Sequence, residues 1–373
     1  PKPVIAESRR QFATAGPAVE FARALKDRPT GRREVVLTPG VIDSCPAETN
    51  ATRTAAALLK WDVVLAVEDG DTARAADSLL AGLNASRSIG DEPTLLSQII
   101  RNSVRAVSTR SLEWALAQAE FPDARLAALQ AAWAADAEEP LLLYALRGER
   151  ALLDRLFEGL ADGTIDLRGY MGDPTKTGRD AVEQDYDLWQ YRTRIAKDRA
   201  FALRWSTEAV AAARLPAHEQ PAAFASLPAL PDGDRDLRLS GFLVAQGRLR
   251  PTFWRSVAEL RCAALAVACE RFRLRHGRWP SDLAELPHDL LAAVPLDPFD
   301  GKQLRYSSLP DGVVIYSVGW DRKDGGGDVA RLGNEGGTDY GFRLWSPGHR
   351  RHPAPQPRPE PAPQDPPDPE IKP

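Results

Sequence analysis

From Asn50 to about Asp162 the chain repeats one pattern, apolar residues three and four apart, broken only by short polar stretches. No other feature limits the fold as much, because that spacing lines one face of a helix and cannot line one face of a strand. TRTAAALLKWDVVLAVE, DTARAADSLLAGLNAS, EPTLLSQIIRNSVRAV, STRSLEWALAQA and DARLAALQAAWAAD all carry it, as Leu79, Leu80 and Leu83 illustrate. EPLLLYALRGERALLDRLFEGL adds another helix and closes the block at ADG. Asp71, Asp91, Ser111 and Asp123 stand where N-caps belong, each with a side-chain oxygen for the orphan N–H groups of a first turn. No fixed repeat of about 34–40 residues links the segments. Short antiparallel helical hairpins are therefore expected, in an all-α domain over residues 50–214. Residues 1–49 read as an irregular entry with a short helix around Ala18–Leu25.

Beyond that block a single long helix is predicted from about Asp185 to Arg214. The proline- and alanine-rich LPAHEQPAAFASLPALPDGDRD then marks a seam, placed at residues 215–250. Residues 347–373, with proline alternating with polar residues from Pro353, read as a disordered tail. A net charge of −4 leaves no general basic footprint for nucleic acid. No apolar run reaches the roughly 18–20 residues of a membrane span. The three cysteines, Cys45, Cys262 and Cys269, make no metal pattern and read as small buried side chains.

The character changes at residue 251. TFWRSVAELRCAALAVACERFRLRH forms a helix whose Phe253, Val257, Leu260, Ala264, Val267 and Phe272 share a face. Arg271, Arg273, Arg275 and His276 load its last turn, where the helix dipole favours cations, and Gly277 follows as the expected stop. Ser281 or Asp282 can cap a short helix, DLAEL. Three strands follow, Gln303–Ser307, Val313–Val318 and Gly341–Trp345, expected as an antiparallel meander on the helix. The predicted class is α+β: the all-α N-terminal domain plus a module, residues 251–346, of one long helix on a three-stranded antiparallel sheet.

The acidic, glycine-rich DRKDGGGD lies between the last two strands. Asp321, Asp324 and Asp328 supply carboxylates, while Gly325, Gly326 and Gly327 let the backbone turn sharply. That combination suits calcium, which takes six to eight oxygens at about 2.3–2.6 Å. Zinc is not expected, with no histidine or cysteine nearby. A solvated loop of Asx turns, neutralised by Arg322, Lys323 and Arg331, is the alternative. GGGDVA satisfies a dinucleotide fingerprint but does not lead into a helix. No G-x-S-x-G, H-E-x-x-H or P-loop occurs.

Taken in order, Gly277–Arg278–Trp279–Pro280, Asp297–Pro298–Phe299 and Ser317–Val318–Gly319 resemble the soluble C-terminal half of the major pseudopilin of type II secretion systems. The resemblance covers about residues 251–345. It implies a calcium loop to which the Val318 carbonyl and Asp339 would add ligands. It also implies a non-enzymatic, envelope-associated structural or assembly protein with protein partners among secretion or envelope components and no nucleic acid. Periplasmic or otherwise extracytoplasmic placement is expected, with an inner-membrane anchor or signal upstream of Pro1. The helical domain, standing where a pseudopilin has its fibre-forming helix, would be the partner-binding surface. An enzyme with its site in the helical domain, or a cytoplasmic helical scaffold without metal, are the alternatives.

Overall fold

The computed structural model describes residues 7–32 (8, 11 and 13 apart), 49–229, 240–329 and 339–351. It is mostly helical, with one small antiparallel sheet, the α+β class expected. Cys45, the 230–239 part of the seam, the 330–338 part of the glycine-rich insertion and residues 352–373 lie outside the described residues.

The chain begins with α1 (Gly16–Arg23), a 3-10 turn, then α2 (Thr49–Glu68) and α3 (Thr72–Arg87), which pack on each other. Asp71 caps α3 as expected, accepting from Arg74 N–H at 2.9 Å. Two predicted segments merge in α4 (Leu95–Gln118): Thr94 is its cap, not Asp91, and Ser111 sits inside it. Ser111 can do so because its hydroxyl donates to the Val107 carbonyl at 2.8 Å, so no helix end is needed to satisfy it. α5 (Asp123–Ala137) starts at Asp123 itself, behind Pro122. α6 (Leu141–Asp162) and the short α7 (Leu167–Met171) follow.

The single helix expected from Asp185 is two, α8 (Gly178–Arg192) and α9 (Ile195–Ala213). The break falls where the Thr193 hydroxyl closes on the Gln190 carbonyl at 2.7 Å. The described part of the seam is also more ordered than its composition suggests. It holds α10 (Gln220–Ala225) and the first turns of α11 (Ser240–His276), a 37-residue helix that runs through Pro251. Gly277 ends α11 at φ 71°, its N–H on the Arg273 carbonyl at 2.8 Å. The meander is β1 (Arg305–Leu309), β2 (Gly312–Ser317) and β3 (Tyr340–Trp345), in that order. The 347–351 start of the assigned tail docks: Arg350 pairs with buried Glu270 at 2.7 Å, and Arg351 N–H reaches the Ala117 carbonyl.

Two large cores hold most of these elements, and α11 belongs to both. Its C-terminal half, with Cys262, Leu265, Val267 and Cys269, packs with residues of α2 to α5 and with Val313, Ile315, Phe342 and Leu344 of the sheet. Its N-terminal half, with Leu243, Phe253 and Trp254, packs with α6, α8 and α9. Both cores therefore cross the boundary drawn at the seam. The basic last turn of α11 is tied down in the same way, with Arg271 on Asp123 at 2.7 Å and Arg275 on Asp289 at 2.6 Å.

Candidate functional site

The end of β2 is fixed by one carboxylate. Asp297, with no exposed surface, accepts from Phe299 N–H (2.9 Å), Ser317 Oγ (2.8 Å), Val318 N–H (2.9 Å) and Arg305 Nη1 (2.8 Å). Val318, named for its carbonyl, is thus anchored by its N–H and is itself buried. The chain turns at Gly319 (φ 67°) into the acidic loop.

There Asp339, only 1% exposed, is the central acid. Its two carboxylate oxygens accept from Gly325 N–H (3.2 Å) and Gly327 N–H (2.8 Å). Burial raises its pKa, the two N–H groups oppose the rise, and the charges of Asp324 and Asp321 add to it. Asp324 accepts from the Tyr316 hydroxyl and from Gly326 N–H, both at 2.9 Å. The Tyr316 phenol is pushed up to about 12, by desolvation first and then by that carboxylate. Asp321 accepts from Lys323 N–H at 3.0 Å, and exposed Asp328 offers its backbone carbonyl to Asp339 N–H at 3.2 Å. Gly327 is needed for more than its φ of 84°, since a Cβ there would lie 2.6 Å from Val314 Cγ1.

The donors are all oxygen, which suits a hard cation in kind. Their number falls short: among the described residues no three His, Cys, Asp or Glu side chains stand close enough to hold one ion. Asp339 and Asp324 are brought near each other. Asp321 and Asp328 remain exposed beside them.

A second site was not read from the sequence. A cleft of about 700 Å³ opens where α4, the α5–α6 turn, the α9–α10 turn and α11 meet. Its walls are mainly apolar, with Leu141, Leu142, Phe253, Trp254 and Val257 among them. Asn102 and Arg105 of α4 line it from inside. Burial lowers the Arg105 pKa to about 10, opposed chiefly by Asp136, which it meets at 2.6 Å. Asn102 is 8% exposed, and neither its amide nitrogen nor its amide oxygen has a hydrogen-bond partner. The signal was in EPTLLSQIIRNSVRAV: Gln98, Arg101, Asn102 and Arg105 keep helical spacing and are all buried. The apolar stripe of the same segment hid this second, polar stripe.

An aromatic stack joins the two places. Trp254 on the cleft wall lies 5.9 Å from Trp320, the ring planes nearly parallel at 9°, and Trp320 opens the acidic loop with 59% of its surface exposed. The two described cysteines, Cys262 and Cys269, are buried, and burial raises both thiol pKa values above their ordinary range. No family model, curated protein or solved structure matches the chain.

Proposed function

We propose that this chain is a non-enzymatic assembly protein of the cell envelope, in which a pseudopilin-like module stabilised by calcium is built onto a helical body that binds protein partners. The observation that carries the reading is the order of the C-terminal elements. A long helix, a Gly–Arg–Trp–Pro turn, an Asp297-anchored segment and a meander follow one another, with the acidic loop at the β2–β3 connection. That is the arrangement the pseudopilin resemblance implies. Buried Asp339, its charge opposed by desolvation and by two neighbouring acids, gives a cation something to relieve. Asp324 and Asp339 would hold calcium, joined by Asp321, Asp328 and the Val318 carbonyl. Periplasmic location, an upstream anchor and envelope partners belong to the same proposal. Among the described residues no helix is long and apolar enough to cross a membrane.

Calcium titration tests it. A site with few, partly exposed acids should have a dissociation constant on the order of 10⁻⁴ M. Calcium at a hundred times that value adds about 2.7 kcal/mol by mass action, read as a rise of a few degrees in Tm. Chelator should reverse the rise and magnesium should not reproduce it, while Asp321→Ala and Asp324→Ala should remove it. A wild-type Tm that stays flat to millimolar calcium would leave the loop held by its own hydrogen bonds, and the reading would fail.

A further inference from the structure

We infer that the α4–α11 cleft binds a short extended peptide segment, recognised through the backbone N–H and C=O of one residue by Asn102 and through an apolar side chain by the walls. The inference rests on the proposed role of the helical body as the partner-binding part, and not on the calcium loop.

Asn102 carries the argument. A carboxamide offers two donors and an acceptor, and in this structure both ends are unpaired, with neither atom in contact with solvent. Leaving such groups buried and unpaired is destabilising, so the fold retains a residue that weakens it. An apolar side chain of similar size would suit the leucine-rich surroundings better. The complement to an unpaired donor and acceptor side by side on one planar group is the N–H and C=O of a single residue in extended backbone, which point to the same side: the N–H meets the Asn102 oxygen and the C=O meets the Asn102 nitrogen. An extended peptide presents such a pair on one edge at every second residue, with both groups free of any helix. Because neither amide atom is solvent-reached as the side chain lies, engagement involves a turn of Asn102 toward the cleft.

The rest of the cleft fits the same ligand. Its volume, about 700 Å³, falls within the roughly 300–1,000 Å³ of ligand sites, and mainly apolar walls with a few placed polar groups are their usual make-up. Leu141, Leu142 and Val257 can receive an aliphatic side chain. Trp254 is already held, its indole N–H on Gln220 Oε1 at 2.9 Å, so that wall is rigid before binding. Arg105 is occupied by Asp136 and is not needed as an anion receptor.

The test uses the whole chain and two small probes. N-acetyl-L-leucine N-methylamide has two peptide groups and one aliphatic side chain. Methyl 4-methylpentanoate keeps the aliphatic group and has no amide N–H. In ¹H–¹⁵N spectra the amide probe should shift the Asn102 side-chain signals and saturate with a dissociation constant on the order of 1 mM, as its size allows. The ester should bind at least roughly tenfold more weakly, the worth of one lost polar pairing. Asn102→Leu should lose the preference for the amide probe while its Tm holds or rises, because it removes an unpaired buried amide. Equal affinity for both probes in wild type, or no shift at Asn102, overturns the inference without recourse to any variant. So does an Asn102→Leu protein that melts lower and still prefers the amide, since Asn102 would then serve the fold. A failed calcium titration leaves all these outcomes unchanged.

Discussion

Asp297 has no exposed surface, yet four donors converge on it, two of them from the far end of β2. Removing the carboxylate would leave the N–H groups of Phe299 and Val318 and the Ser317 hydroxyl buried without that acceptor, while Arg305 would keep Asp300. Asp297→Ala should therefore lose roughly 3–5 kcal/mol in denaturant unfolding. Asp297→Asn, which keeps one acceptor oxygen, should fall between the variant and wild type; an alanine variant as stable as wild type would show that water replaces the network. The residue was legible in the sequence only as part of the Asp–Pro–Phe motif. Its task was not, because Ser317 and Val318 lie 20 and 21 residues away and only the folded sheet brings them back. The acidic loop shows the same division. Its carboxylates were evident from composition, but the central position of Asp339 depends on β3 returning beside Asp328.

Among the elements, helices with one clear apolar stripe were readable, and their ends were not. The sequence places the start of the last helix just after Pro251, since an interior proline costs about 3 kcal/mol. α11 nevertheless continues through it, because Leu243 on one side and Phe253 and Trp254 on the other are buried in the same core. Tertiary packing outweighs the local penalty there. A glycine reports the opposite balance in α6. Gly148 lies inside the helix, where alanine would ordinarily gain about 1 kcal/mol. A Cβ at that position, however, would stand 1.5 Å from the Pro93 carbonyl oxygen. The adjacent Glu149 accepts from Leu95 N–H at 2.7 Å, so these two residues clamp the start of α4 against α6. Gly148→Ala should thus cost at least about 2 kcal/mol, read as a lower denaturation midpoint. A gain instead would mean that the segment around Pro93 gives way freely.

At the scale of the whole molecule, the composition break at residue 251 suggested separable parts, and the packing joins them. α11 contributes to both cores, Arg261 reaches Glu138 at 2.9 Å, and Arg343 N–H of β3 donates to Glu113 of α4 at 2.9 Å. A seam rich in proline says that a chain can bend there. It says nothing of whether the faces on either side are complementary, and that is decided by side chains more than a hundred residues apart. Far-UV circular dichroism, which follows the helices, and the signal of Trp345 in the sheet should therefore lose structure in one coincident thermal transition. Two separated transitions would show that the module melts on its own.

The position of α11 also has a consequence for biosynthesis. α5 leaves the ribosome with an apolar face whose cover is α11, and the end of that helix is made about 140 residues later. At roughly 5–20 residues per second the wait is on the order of 10 s. Leu126, Leu129 and Trp133, fully buried in the finished protein, are in water or in the hands of a chaperone for that time. The nascent chain is accordingly most prone to aggregation in mid-synthesis, and ribosomes stalled before codon 260 should carry chains that bind holdases more strongly than those stalled after codon 345.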